Sequence, residues 1–185
     1  MKKRILTCFL AFVSIVGFSQ WTWQNPLPTG NGLLSGYFTG PNTGYLGDNF
    51  GTILKTIDGG ASWKVLSTGS TASFRSVFFP DPNTGYAVGL ESSIFKTKNG
   101  GMSWQDISVH SVQYIMSVSF LNDSVGFVVA EQGTILKTFD GGTTWNKMPC
   151  GTSQWLETIT FINEREGYAA GTAGIILKTP DGGTT

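Results

Sequence analysis

One run of residues recurs along this chain at a fixed interval. Lys55-Thr56-Ile57-Asp58-Gly59-Gly60-Ala61-Ser62-Trp63 returns as Lys96–Trp104 and as Lys137–Trp145, and a fourth copy runs from Lys178 to Thr185. The offset is 41 residues each time (96 − 55, 137 − 96, 178 − 137), with no insertion between copies. A constant period of that length means one supersecondary unit stacked on itself, each burying its apolar face against the next.

Set in rows of 41 from Gly32, the chain holds three full units, 32–72, 73–113 and 114–154, and most of a fourth, 155–185. The second row predicts four short strands. Ser76-Val77-Phe78-Phe79 is apolar and β-prone, Pro80 to Gly85 is dense in turn residues, and Tyr86-Ala87-Val88-Gly89 is a second strand. Ser93 to Thr97 is a third, and a Gly-Gly turn leads into a fourth at Ser103–Ile107. Four hairpin-linked strands in about 40 residues describe one blade of a β-propeller. The expected fold is therefore all-β: four-stranded antiparallel blades, about four of them, forming an incomplete propeller.

Two columns refine this. Ile53, Ile94, Ile135 and Ile176 stand next to Leu54, Phe95, Leu136 and Leu177 in the third strand. Adjacent strand residues point to opposite faces, so this strand is apolar on both, as a blade between two neighbours requires. Gly44-Tyr45, Gly85-Tyr86, Gly126-Phe127 and Gly167-Tyr168 form the second column. The glycine is expected to supply a positive φ where the first hairpin turn ends, and the ring to pack across the gap between blades.

The N-terminus reads differently. Met1-Lys2-Lys3-Arg4 is basic, Ile5 to Phe18 is mostly apolar, and Gly17-Phe18-Ser19 offers small residues for cleavage before Gln20. Fourteen helical residues rise about 21 Å, too short for a bilayer core of about 30 Å. Residues 1–19 are expected to be a signal peptide rather than a membrane span, which makes the mature chain secreted: periplasmic, cell-surface or extracellular. Removing Lys2, Lys3 and Arg4 leaves nine basic residues against 12 acids, a balance of −3. With no basic cluster, nucleic acid is not an expected partner. Cys8 would leave with the leader, so Cys150 has no intrachain partner and reads as a small buried hydrophobe.

The repeated signature matches S/T-x-D-x-G-x-T/S-W, the Asp-box or bacterial neuraminidase repeat. Its members here are Thr56, Asp58, Gly60, Ser62 and Trp63; Thr97, Asn99, Gly101, Ser103 and Trp104; Thr138, Asp140, Gly142, Thr144 and Trp145; and Thr179, Asp181, Gly183 and Thr185. The carboxylate is expected to accept backbone N–H bonds in a tight turn, and the tryptophan to bury its ring. Asn99 accepts the same bonds without a charge, which assigns the column to the fold rather than to metal binding or acid chemistry. Within such propellers the chain most resembles the photosystem II assembly and stability factor repeats. Arg75-Ser76-Val77-Phe78-Phe79, Gly85-Tyr86-Ala87-Val88-Gly89 and Gly133-Thr134-Ile135-Leu136-Lys137-Thr138 carry that resemblance. It implies a propeller that binds protein partners without doing chemistry. Where that family has an arginine-rich surface, the mature chain has Arg75 and Arg165.

Asp-box propellers also include sialidases and endoglucanases. A sialidase needs three arginines, which the mature chain lacks, and a glucanase needs two carboxyls about 5–9.5 Å apart. Of the acids outside the repeated turn, most fall at hairpin turns as solvated groups, and only Glu157 stands beside an innermost strand. His110, the single histidine, has no catalytic context, and no metal-ligand or cofactor pattern is present. Catalytic, cofactor and metal residues are therefore expected to be none.

Lys64–Ala72, Gln105–Gln113 and Asn146–Gln154 vary most between rows and lead each blade to the next. Tyr114 and Trp155 share a column where these segments end, and Arg75 lies two residues into its own row. These three are the candidate partner surface, for a protein or a glycan. The column Lys55, Lys96, Lys137 and Lys178 is expected to form a solvated ring. Thr22-Trp23-Gln24-Asn25 resembles Ser103-Trp104-Gln105-Asp106, which makes residues 20–31 a possible closing strand. The copy that stops at Thr185 suggests a truncated chain. Two functions follow as expectations: a secreted, non-enzymatic binding propeller, or the N-terminal piece of an Asp-box glycoside hydrolase.

Overall fold

The computed structural model describes residues 21, 23, 24 and 26–184. The expected signal peptide, three residues of the possible closing strand (Gln20, Thr22 and Asn25) and Thr185 lie outside the described residues. The first sheet comprises β1 (Leu33–Phe38), β2 (Gly44–Asp48), β3 (Thr52–Thr56) and β4 (Lys64–Ser67). The second comprises β5 (Phe74–Phe78), β6 (Gly85–Gly89), β7 (Ile94–Thr97) and β8 (Gln105–Asp106). The third has β9 (Ile115–Phe120), β10 (Gly126–Ala130), β11 (Thr134–Thr138) and β12 (Asn146–Met148). The fourth has β13 (Leu156–Phe161), β14 (Gly167–Gly171) and β15 (Ile176–Thr179), with a 3-10 turn at Thr172–Gly174. All are antiparallel, and strand order follows chain order in each sheet.

The sheets stand side by side. Each first strand packs on the next, β1 on β5, β5 on β9 and β9 on β13, so the first strands converge toward an axis. That is how propeller blades are arranged, with the first strand innermost. The series is open: among the described residues the first and fourth sheets do not close a ring.

The core lies between blades. Tyr45 and Ile53 of blade 1 pack with Phe74, Val77, Phe79, Ala87 and Phe95 of blade 2. Tyr86, Val88 and Ile94 meet Ile115, Val118, Phe120, Val128 and Leu136 of blade 3, and Phe127 and Val129 meet Leu156, Ile159 and Ala169 of blade 4. The apolar third strand thus serves two junctions, isoleucine forward and its neighbour backward.

The Gly-aromatic column differs from expectation in its glycine. None of Gly44, Gly85, Gly126 and Gly167 has a positive φ. A Cβ at Gly85 would instead stand 2.3 Å from the Phe79 ring, and Gly126 and Gly167 face Phe120 and Phe161 at 2.4 and 2.5 Å. The glycine is there because a phenylalanine lies across it. The fourth strand is also shorter than read: β8 holds only Gln105 and Asp106. Among the acids read as solvated, Asp48 is buried. Burial pushes its pKa up, but hydrogen bonds from Thr52, Asn31 and the Phe50 N–H outweigh burial and hold it below the usual carboxylate value.

Candidate recognition surface

The repeated turn sits at one end of each blade, after its third strand. Both glycines take positive φ, 72° and 91° at Gly59 and Gly60, which L side chains adopt only with strain. The Thr56 hydroxyl donates to Asp58 Oδ1 at 2.7 Å and accepts the Gly60 N–H at 2.9 Å. Asp58 also accepts the Ser62 N–H at 2.9 Å and its hydroxyl at 2.5 Å. Thr138, Asp140, Gly142 and Thr144 repeat these bonds at 2.6–2.8 Å, and Thr179, Asp181 and Gly183 repeat the part they share. Ser62 bonds first, then Thr56, hold the Asp58 pKa at about 2, and Thr144 does the same for Asp140.

Asn99 takes the aspartate's place in the second turn without its charge. Its Oδ1 accepts from the Thr97 hydroxyl and the Ser103 N–H, both at 2.9 Å. Its Nδ2 then donates to Ser103 Oγ, reversing the bond that an aspartate accepts. Trp63, Trp104 and Trp145 each meet the phenylalanine of their own blade edge-on, with centroids 6.3, 6.1 and 6.2 Å apart from Phe38, Phe79 and Phe120.

The lysine column is not a solvated ring. Lys55 Nζ donates to the Gly100 carbonyl at 2.7 Å, Lys96 to Gly141 at 2.6 Å and Lys137 to Gly182 at 2.7 Å. Each acceptor lies in the repeated turn of the following blade. The Tyr45 and Tyr86 hydroxyls donate to the same carbonyls, Gly100 and Gly141, at 3.1 and 3.0 Å. Their rings stack on Phe79 and Phe120 at 3.8 Å, as Phe127 does on Phe161 at 4.6 Å. The turn is thus a socket for the preceding blade. Burial lowers the Lys96 and Lys137 pKa values. Lys178 pairs with Glu166 at 2.5 Å instead.

The other end of the blades carries the candidate partner residues. Tyr114 and Trp155 stand just before β9 and β13, and their rings stack across the junction at 5.5 Å with planes 27° apart. Both keep more than a third of their surface exposed, 36% and 38%. Arg75 is exposed on the neighbouring innermost strand. Its position has a feature the sequence hid. Phe74 and Ser76 pair with consecutive residues Gly89 and Val88, so Arg75 is the extra residue of a β-bulge. Leu34, Met116 and Glu157 are bulged in the same way in β1, β9 and β13. One device therefore presents Leu34, Arg75, Met116 and Glu157 along the innermost strands. The 41-residue spacing could have linked these four, but the bulge has no sequence signal.

An apolar cavity of about 240 Å³ lies between blades 3 and 4, walled by Phe127, Cys150, Phe161, Leu177 and Gly183 among others. Phe127, Phe161 and Gly183 are counterparts of Tyr86, Phe120 and Gly142, which surround Trp145 one blade earlier. The cavity therefore belongs to blade packing. Among the described residues no group of three His, Cys, Asp or Glu is placed to hold a metal ion, and no helix is long and apolar enough to cross a membrane.

Open blades joined by a repeated turn define a β-propeller of the neuraminidase-repeat kind. More particularly, the chain belongs to the family described as photosynthesis system II assembly factor YCF48, whose model matches residues 14–111 and 102–185. No curated protein matches its sequence. Among solved structures it is similar to YCF48 bound to a D1 peptide, at 24% identity and a TM-score of 0.67, over 79% of this chain and 48% of that one. An ancestral GH74 enzyme matches at 17% identity and a TM-score of 0.67, over 90% of this chain and 25% of that one. The computationally designed Ika4 protein matches at 15% and 0.66, over 83% and 94%. The chain thus spans about half of the YCF48 structure and a quarter of the GH74 enzyme.

Proposed function

We propose that this chain is a secreted or cell-surface, non-enzymatic propeller that binds a peptide segment of a protein partner at the end of the blades opposite the repeated turns. The stacked, exposed pair Tyr114–Trp155 carries this reading. Two flat rings held against each other are pre-organised, and aromatic anchors of this kind dominate binding energies. Arg75 and Glu157 add one charge of each sign on the same innermost strands, which suits an extended backbone with polar side chains. The solved YCF48 structure holds a D1 peptide, and likeness to it supports a peptide over a glycan here. The hydrolase reading has only the shared fold behind it, since the bulge column supplies Glu157 as its one carboxylate.

A displayed library of random peptides, selected on the chain, tests this. Selected peptides are expected to lose about 10- to 100-fold affinity, about 1.4–2.8 kcal/mol, when Tyr114 and Trp155 are both alanine. Peptides that bind the double variant unchanged would refute the site. Selective capture of oligosaccharides instead of peptides would refute the ligand class.

A further inference from the structure

On the basis of that peptide site, we propose that the side chain received by the Tyr114–Trp155 stack is a cation, an arginine of the partner peptide, drawn by glutamates that border the two rings.

The backbone brings three glutamates to the pair. Glu91 lies in the turn between β6 and β7 of blade 2, where Leu90 forms a bridge with Tyr114. Glu91 and Ser92 both take left-handed φ, 60° and 62°, as a tight two-residue hairpin turn requires. The Ser92 N–H donates to the Gln113 carbonyl at 3.1 Å and its hydroxyl to the Val112 carbonyl, which pins the turn against the segment entering Tyr114. Glu131 begins the turn between β10 and β11. Its N–H donates to the Tyr114 carbonyl at 3.2 Å, and its Oε1 accepts the Gln113 N–H at 2.8 Å. Two residues on, the Gly133 N–H donates to the carbonyl of Gln154, beside Trp155, at 2.8 Å. Glu157 follows Trp155 by two residues and is the bulged residue of β13.

Charge divides between the two ends of the blades. Lys55, Lys96, Lys137 and Lys178 stand near the ends of the third strands, at the repeated turns. Lys64 pairs with Lys55, Lys98 lies in the second turn, and the Arg165 carbonyl accepts the Gly182 N–H at that same end. Lys147 sits opposite Leu136, midway along the outermost strand of blade 3. Among the described residues Arg75 is thus the one lysine or arginine at the recognition end, on β5, two blades from Glu157. Internal blades share the exposure of this end. Tyr114 on blade 3 is about as open as Trp155, and Arg75 on blade 2, bulged like Glu157, is exposed as well.

Exposed rings bordered by carboxylates favour a guanidinium, which is planar, always charged and stacks on aromatic faces. A metal ion would need the carboxylates to converge, and among the described residues no three are placed to hold one.

Peptides selected from a displayed random library on the wild-type chain test this by fluorescence titration. They are expected to share an arginine. Replacing that arginine by citrulline, which keeps the shape and removes the charge, should weaken binding about tenfold. Glu91→Gln with Glu157→Gln should weaken the arginine peptide about fivefold and leave the citrulline peptide unchanged. Glu164→Gln, an exposed acid at the opposite end, should change neither. Selected peptides that need Tyr114 and Trp155 but share no basic residue would overturn the cation and leave the peptide site standing. Peptides indifferent to Tyr114→Ala/Trp155→Ala would overturn both. An arginine peptide that binds the Glu91→Gln/Glu157→Gln variant as it binds wild type, or loses as much to Glu164→Gln, would overturn the role of the glutamates.

Discussion

At Gly85 a single added carbon would stand 2.3 Å from the Phe79 ring. That ring is fixed between Tyr45 and Trp104, so it has nowhere to move. Gly85→Ala should therefore destabilise the fold by about 1–3 kcal/mol, the usual range for overpacking. Asparagine, which tolerates positive φ, should do no better, whereas Phe79→Leu should offset part of the loss. Urea midpoints for the single and double variants check this, and recovery with Gly85→Asn would contradict it. Asp58 and Asp140 make a second residue-scale prediction. Both have folded pKa values of about 2, below the ordinary aspartate value, because hydrogen bonds from Ser62 and Thr144 favour the charged form. A depressed carboxylate contributes stability that is present above the unfolded pKa and lost as pH falls through the folded one. Melting temperatures should thus drop between about pH 4 and pH 2. Replacing both with Asn, the residue already at 99, should flatten that limb; an unchanged acid limb would count against the turn's role.

At the scale of the element, the joint between blades was half legible in the sequence. The period, the apolar third strand and the ring reaching across the gap all follow from residue type and spacing, because burial on two faces leaves a pattern in hydrophobicity. The lysine column left the opposite impression, since a repeated charge reads as solvated until its acceptor is known. That acceptor is a backbone carbonyl 45 residues away in sequence, which no side-chain pattern encodes. The bulges at Arg75 and Glu157 were hidden for the same reason: they are register shifts, not residue types. The joint predicts a contrast. Lys137 is 5% exposed and holds the Gly182 carbonyl, so Lys137→Met should cost about 1–3 kcal/mol by leaving a buried acceptor unpaired. Lys178→Met, on an exposed pair, should leave stability unchanged within error. Equal effects in chemical denaturation would refute the distinction.

For the whole molecule, the two ends of the blades have different work. One end holds four Asp-Gly-Gly or Asn-Gly-Gly turns, and those of blades 2, 3 and 4 fasten each blade to the one before it. The other end holds the stacked pair Tyr114–Trp155 and the innermost-strand bulges, and there a partner is proposed to bind. The repeated motif drew attention first because it repeats, and it repeats because every joint needs it; a recognition site needs no such repetition, so Tyr114 and Trp155 share a column in only two rows. The most direct measurement compares Asp140→Ala with Tyr114→Ala/Trp155→Ala in one titration, using a peptide selected on the wild-type chain and scoring affinity per folded molecule alongside the melting temperature. The turn variant is expected to melt earlier and bind the peptide as wild type does, while the aromatic variant binds at least about tenfold more weakly with its melting temperature shifted far less. A folded Asp140→Ala protein that has lost the peptide, beside an aromatic variant that keeps it, would contradict the account.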